Sequence, residues 1–164
     1  MKKLFAMALC ALTALSFTAC GAGRAAGRNA DVPGTQIANP FADYASLEEA
    51  VIDAGFPLSA PNRIDGYGEP QVQLMSGKML QLIFRSDDER LIIRKAAGSE
   101  DISGDYDSYP ETKTARINGT DVTLKGADGK ISTAIWCADG FSYALVSDTP
   151  MAPDVITDLI AEIA

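Results

Sequence analysis

Thr112 to Ser147 reads TKTARINGTDVTLKGADGKISTAIWCADGFSYALVS, and three dipeptides within it, Asn118-Gly119, Asp128-Gly129 and Asp139-Gly140, decide the fold. Each joins a residue that tolerates positive φ to a glycine, the combination that two-residue type I′ hairpin loops require, and each lies between strand-like runs. Their spacing of ten and eleven residues predicts four consecutive antiparallel strands over about 112–117, 120–127, 130–138 and 141–147. With two-residue loops the register follows: Ile117 faces Thr120, Ala115 faces Val122, Val122 faces Ile135, and Ile135 faces Ala144 on one side of the sheet. The other side passes from polar pairs, Arg116 with Asp121 and Thr114 with Thr123, to apolar ones, Trp136 with Tyr143, Phe141 with Ala138 and Leu145 with Ala134. The last two strands are then apolar on both sides and should be covered twice.

Upstream the same period of two recurs. Val72 and Leu74 alternate with Gln71 and Gln73; Leu80, Leu82 and Phe84 alternate with Met79, Gln81, Ile83 and Arg85; and Leu91 and Ile93 share a side within Arg90 to Lys95. Ser76-Gly77 suits a tight turn, and Ser86 to Glu89 makes a polar connection, so these runs read as a meander. Two helices flank the strands. Ser46 and Glu49 form a capping box ahead of Leu47, Ala50, Val51 and Ala54, which recur at helical spacing; Gly55 fits the left-handed C′ position, and Pro57 prevents continuation. At the far end Pro153 and Asp154 suit a first helical turn, and Val155, Ile156, Leu159 and Ile163 make a stripe that should pack over Trp136. The fold class expected is α+β: a largely antiparallel sheet of seven or eight strands with one helix before it and one after it.

Lys2 and Lys3 precede an apolar run from Leu4 to Phe17 that is too short for a permanent membrane span and reads as an export signal. Thr18-Ala19-Cys20 resembles the lipobox, where cleavage before an acylated cysteine leaves a lipid anchor; Phe17 departs from it, because an aliphatic residue usually holds that place. The reading gives a lipoprotein signal peptide at 1–19, a flexible Gly/Ala/Asn/Pro-rich tether at 20–38 carrying lipid such as palmitate on Cys20, and one globular domain at 39–164. Such a protein sits on the extracytoplasmic face of the cell membrane, held there by its N-terminal lipid.

Without the two leader lysines, twelve basic residues face twenty-two acidic ones, a formal charge of −10. That balance argues against nucleic acid and against anionic lipid headgroups as partners. The chain contains no histidine, which removes the commonest general base and metal ligand and every Ser/His/Asp or Cys/His arrangement. Cys10 leaves with the leader and Cys20 is acylated, so Cys137 is the one free thiol; on the Ile135 side of the sheet it is expected to be a buried, inert core residue.

Four places could carry chemistry. Asp101, Ser103, Asp105 and Asp107 place oxygen-bearing side chains at alternate positions as a calcium loop does, although Tyr106 stands where a glycine belongs and Thr112 where a bidentate glutamate should close the loop. Cys137 lacks an activating base. Asp87, Asp88 and Glu89 are adjacent in a turn and cannot face one another across a cleft as paired catalytic carboxylates do. Trp136, Phe141 and Tyr143 form a candidate ligand-binding patch, with Tyr67, Tyr106 and Tyr109 in reach, unless the terminal helix covers it.

Asn39-Pro40-Phe41, the helix ending in Ala54-Gly55-Phe56-Pro57, Asp101 to Tyr106, Ile117-Asn118-Gly119, and Trp136 followed by Gly140-Phe141-Ser142-Tyr143 together resemble the DUF4367 domain of lipoproteins and membrane-anchored proteins of Firmicutes, especially clostridia. The resemblance spans about residues 39–164 and implies fold and location, with no activity attached. A curved antiparallel sheet crossed by a helix is also the plan of lipoprotein carriers of the LolA and RseB type. The function expected is a non-catalytic, surface-tethered binding or sensing module for a protein, peptide or envelope component, needing no cofactor. The alternative is a carrier of an apolar or lipid ligand.

Overall fold

The structure, a computed structural model, describes residues 39–163; the leader, Cys20 with its expected acylation, and the tether 20–38 lie outside the described residues. The elements are β1 (Phe41–Tyr44), α1 (Leu47–Ala54), β2 (Gln71–Met75), β3 (Met79–Ser86), β4 (Glu89–Ala97), β5 (Glu111–Ile117), β6 (Thr120–Ala127), β7 (Lys130–Ala138), β8 (Phe141–Met151) and α2 (Pro153–Glu162). All eight strands are antiparallel in one sheet ordered β1-β2-β3-β4-β8-β7-β6-β5. The α+β class and both helices are as the sequence predicts, and β1, a short strand ahead of α1, is an addition to it.

Two four-stranded meanders are therefore joined through their last strands, β4 and β8. After β4 the chain crosses to the far edge through residues 98–110 and winds back, so that β8 lies against β4 with Leu91 opposite Ser147, Ile93 opposite Leu145 and Ala97 opposite Phe141. The three predicted turns form as expected: Asn118, Asp128 and Asp139 have φ of 48°, 52° and 51°, and the glycine after each is also positive. The exposed edges are a four-residue strand on one side and, on the other, a strand carrying Glu111, Lys113 and Arg116, both features that discourage pairing with another chain.

One register differs from expectation. On β6 and β7, Lys125 pairs with Thr133 but Gly126 pairs with Ile131, so Ser132 is an extra residue and the ladder slips by one. Val122 faces Trp136 rather than Ile135. The pairs Trp136–Tyr143, Ala134–Leu145 and Ala138–Phe141 are as expected, yet they lie on the face of Val122 and Ile117, not on that of Arg116 and Thr114. The predicted change from polar to apolar along one face is thus two faces, one apolar and one polar. The physical cause is Gly126: a Cβ there would stand 1.9 Å from the Lys130 carbonyl oxygen, so only glycine permits the approach.

Both helices pack on the apolar face. Ser46 caps α1 by accepting a 3.2 Å bond from the Glu49 N–H, and Gly55 ends it at φ 76°. Ala50 of α1 and Phe56, Leu58 and Ile64 of the following segment join Leu74, Leu80, Leu82 and Phe84 in one core with Val122, Trp136 and Leu145. α2 adds Ile156, Leu159 and Ile160, and its C-cap adds Ile163, each contributing roughly 1.5–3 kcal/mol of gross burial energy. The stripe expected on α2 is rotated, with Val155 exposed and Ile160 buried. Among the described residues no helix is long and apolar enough to cross a membrane.

Replacing Gly126 by alanine is expected to lower the urea-unfolding free energy by about 2–3 kcal/mol, because Lys130 must move to accommodate the methyl group. Gly68→Ala, whose added Cβ meets nothing closer than the Arg85 carbonyl oxygen at 3.6 Å, is the control and should change it by less than about 0.5 kcal/mol. Equal stability of the two variants would contradict the bulge.

Candidate functional site

On the apolar face one cross-strand row runs Ala42, Leu74, Leu80, Lys95, Tyr143, Trp136, Val122 and Ala115. Lys95 is its sole charged member. Trp136 and Tyr143 are directly opposite on β7 and β8 and stack, with ring centroids 5.2 Å apart and planes 4° from parallel. Phe141, two residues from Tyr143 on the same face, meets Phe56 at 5.2 Å and so ties the segment after α1 to the end of the sheet. These aromatics line a cleft of about 480 Å³ beside the last turn of α2, whose Ile160, Ala161 and Ile163 form one wall and Ile117 and Ala138 another. The lining is mainly aliphatic and aromatic, and the size is in the range of small-molecule sites.

The floor is dry. Trp136 is 5 % exposed and Tyr143 3 %, so neither is displayed for docking, and Phe141 is half-buried. Lys95 is 3 % exposed, with Nζ 4.7 Å from the Phe141 ring centroid and 4.9 Å from that of Tyr143. The two rings offer their negative faces to the ammonium. Lys95 was missed by sequence reasoning, although its alternation with Leu91 and Ile93 places it on the buried side.

The other face of the sheet carries a polar row. Asp43 Oδ1 accepts bonds of 2.7 and 2.8 Å from Gln71 and Gln73; Gln73 Oε1 accepts 2.8 Å from Gln81 Nε2; and Gln81 Oε1 accepts 2.6 Å from Arg94 Nε. Arg94 also donates to the Ile102 carbonyl at 3.2 Å and to that of Ser103, fastening residues 98–110 over the sheet. Every donor in this relay points the same way, from the guanidinium on β4 to the carboxylate on β1, and the bonds polarise one another. The Gln73 and Gln71 amides hold Asp43 below the usual carboxylate range.

The Asp101–Asp107 loop lies on this polar face, bordering a second cleft of about 610 Å³ with Arg90, Arg94 and Asp148. Its alternating oxygens serve the backbone. Asp101 accepts from the Ser103 N–H at 2.9 Å, Ser103 Oγ from the Asp105 N–H at 3.2 Å, and Asp105 from the Asp107 N–H at 3.0 Å, a succession of side-chain turns. Asp105 also accepts from Tyr109 and Thr133, and Asp101 lies 3.6 Å from Lys125 Nζ. Among the described residues no three His, Cys, Asp or Glu side chains are grouped so as to hold a metal ion. Burial works to raise both aspartates, but hydrogen bonds from Ser103 on Asp101 and from Thr133 on Asp105, with Lys125 near each, bring them below the ordinary value.

Two expectations need correction. Cys137 does share the Ile135 side, but that side is the outer one once Trp136 aligns with Val122, so the thiol is exposed, with Sγ 3.8 Å from Ser142 Oγ. Tyr106 and Tyr109 belong to the polar face, Tyr106 being 96 % exposed, while Tyr67 packs against the core; the aromatic group at the cleft is Trp136, Phe141 and Tyr143. Comparison of the chain with protein-family models, with curated proteins and with solved structures gives no match.

Two measurements follow from this geometry. A thiol reagent, its site followed by peptide mapping, should modify Cys137 about as fast in the native chain as in the unfolded one; modification at Cys137 that requires denaturant would place the thiol back in the core. Because Asp101 and Asp105 titrate lower when folded than when unfolded, their contribution is complete above about pH 4 and is lost as pH falls through the folded values. Denaturant titrations should therefore show stability falling below about pH 4, less steeply in Asp105→Asn than in wild type.

Proposed function

We propose that the chain is an extracytoplasmic lipoprotein held at the cell membrane through acylated Cys20, and that its domain is a non-catalytic binding module whose ligand occupies the cleft beside α2. The ordered motifs that resemble the DUF4367 domain are consistent with that location. The absence of histidine from the sequence and the use of the loop aspartates as turn acceptors weigh against acid/base catalysis.

One observation carries the choice of ligand class. Trp136 and Tyr143 form the floor of a mostly apolar cleft instead of an exposed patch, which supports an apolar or lipid-like envelope ligand over a protein or peptide docked on surface aromatics. A flat protein interface draws its energy from aromatic anchors that reach into the partner, and here the two largest candidates are occupied with each other.

Location and cleft are tested separately. Cys20→Ser should move the protein from the membrane fraction to the soluble extracytoplasmic fraction; retention at the membrane would contradict the anchor. The neutral apolar fluorophore N-phenyl-1-naphthylamine should bind saturably, one per chain, and quench Trp136, the sole tryptophan. Ala138→Leu, which narrows the cleft, should weaken that binding about tenfold. Saturable uptake without quenching of Trp136 would place the ligand elsewhere.

A further inference from the structure

We infer that Lys95 is the ligand-reading charge of the cleft, and that the ligand is an amphiphile with an apolar body and a single anionic head. The inference rests on the reading of the cleft as the binding site and adds the chemistry of what it takes.

β4 alternates Leu91, Ile93 and Lys95 toward the helices, and the first two are fully buried. Lys95 continues that side between Leu80 on β3 and Tyr143 on β8, a position at which an apolar side chain of similar length would complete the core. Its stem is packed accordingly. Its ammonium carries three donors, and among the described residues it forms no hydrogen bond and none of the three ion pairs. The Phe141 and Tyr143 rings supply attraction without accepting a conventional hydrogen bond, so the donors are left for whatever enters the cleft. The side chain is buried almost to its tip, and of the acceptors that could meet an ammonium there a carboxylate or phosphate oxygen is the strongest.

The rest of the lining fits the body of such a molecule. Ile117, Ile160 and Ile163 give an aliphatic wall, and among the described lining residues Lys95 is the only base. The one acid there, Asp139, stands in the exposed turn at the rim and forms no ion pair with Lys95. Over an acidic chain, a bare anion gains little from approach; an anion attached to an apolar body gains both burial and Lys95.

Displacement of N-phenyl-1-naphthylamine from the full chain carrying Cys20→Ser, which removes the protein's own acyl groups, tests this. Decanoate and decyl phosphate, each below its micellar concentration, are compared with decanol. At least one of the two anions should displace the fluorophore at roughly tenfold lower concentration than decanol, and the tighter anion identifies the head. Lys95→Met should abolish that preference, the anions and decanol then displacing at similar concentrations; Lys95→Gln, which keeps hydrogen bonding without charge, should do the same. If the fluorophore binds and neither anion outcompetes decanol, or if both variants retain the preference, Lys95 does not read an anion. If the fluorophore itself fails to bind at Trp136, it is the cleft that is misassigned.

Discussion

The close approach of Gly126 to the Lys130 carbonyl is the constraint from which the arrangement of this domain follows. It accommodates Ser132 as an extra residue, and because side chains alternate with a period of two, one extra residue exchanges the faces of everything beyond it. Trp136 lands beside Val122, and Cys137 and Ile135 turn outward. The pairing of β8 with β4 then carries the choice into the other half of the sheet, setting Leu145 beside Ile93 and Tyr143 beside Lys95. The stacked pair, the lysine and the aliphatic wall of α2 meet on one face in a register that glycine at 126 permits.

The two faces hold together by different means. Behind the helices, apolar area removed from water supplies the driving force, and the aromatic stack and the Phe56–Phe141 contact fix where the layers meet. On the opposite face the strands are joined by the relay from Arg94 to Asp43, in which Gln73 and Gln81 are buried but each finds a partner on both sides. A network satisfied at every link stabilises, whereas the same amides unpaired would each cost about 1–3 kcal/mol. Arg94 extends it to the loop that crosses from one meander to the other, so the long connection is pinned to the sheet it spans.

Much of this was legible in local chemistry. Asn-Gly and Asp-Gly pairs at hairpin spacing, Ser46 three residues before Glu49, and Gly55 before Pro57 each state a backbone geometry with little reference to the rest of the chain, and each is found. What was not legible depends on contacts distant in sequence. A bulge reveals itself only when partner strands are counted against each other, although Gly126 inside a strand was its local sign. The junction of β4 with β8 has no turn to announce it. Alternating oxygens at 101–107 fit a cation or a run of side-chain turns equally well on spacing; the nearby backbone N–H groups and Thr133, Tyr109 and Lys125 are what occupy them. The aromatic trio was identified in sequence, but its orientation and its lysine partner came from the register.

The cleft owes its shape to α2, and α2 owes its place to packing. Its N-cap, Ala152, offers no side-chain acceptor, its last turn carries no basic residue, and ten residues are too few for an isolated helix to persist in water. Pro153 at the first position and the Thr157 hydroxyl on the Pro153 carbonyl at 2.8 Å give modest local support. Ile156, Leu159 and Ile160 on the core side therefore hold the helix down, while Ile160, Ala161 and Ile163 toward its end border the cleft. The same element closes the core and walls the opening, so the residues that fix the helix on the sheet also fix how far the cleft stays open over Trp136 and Tyr143.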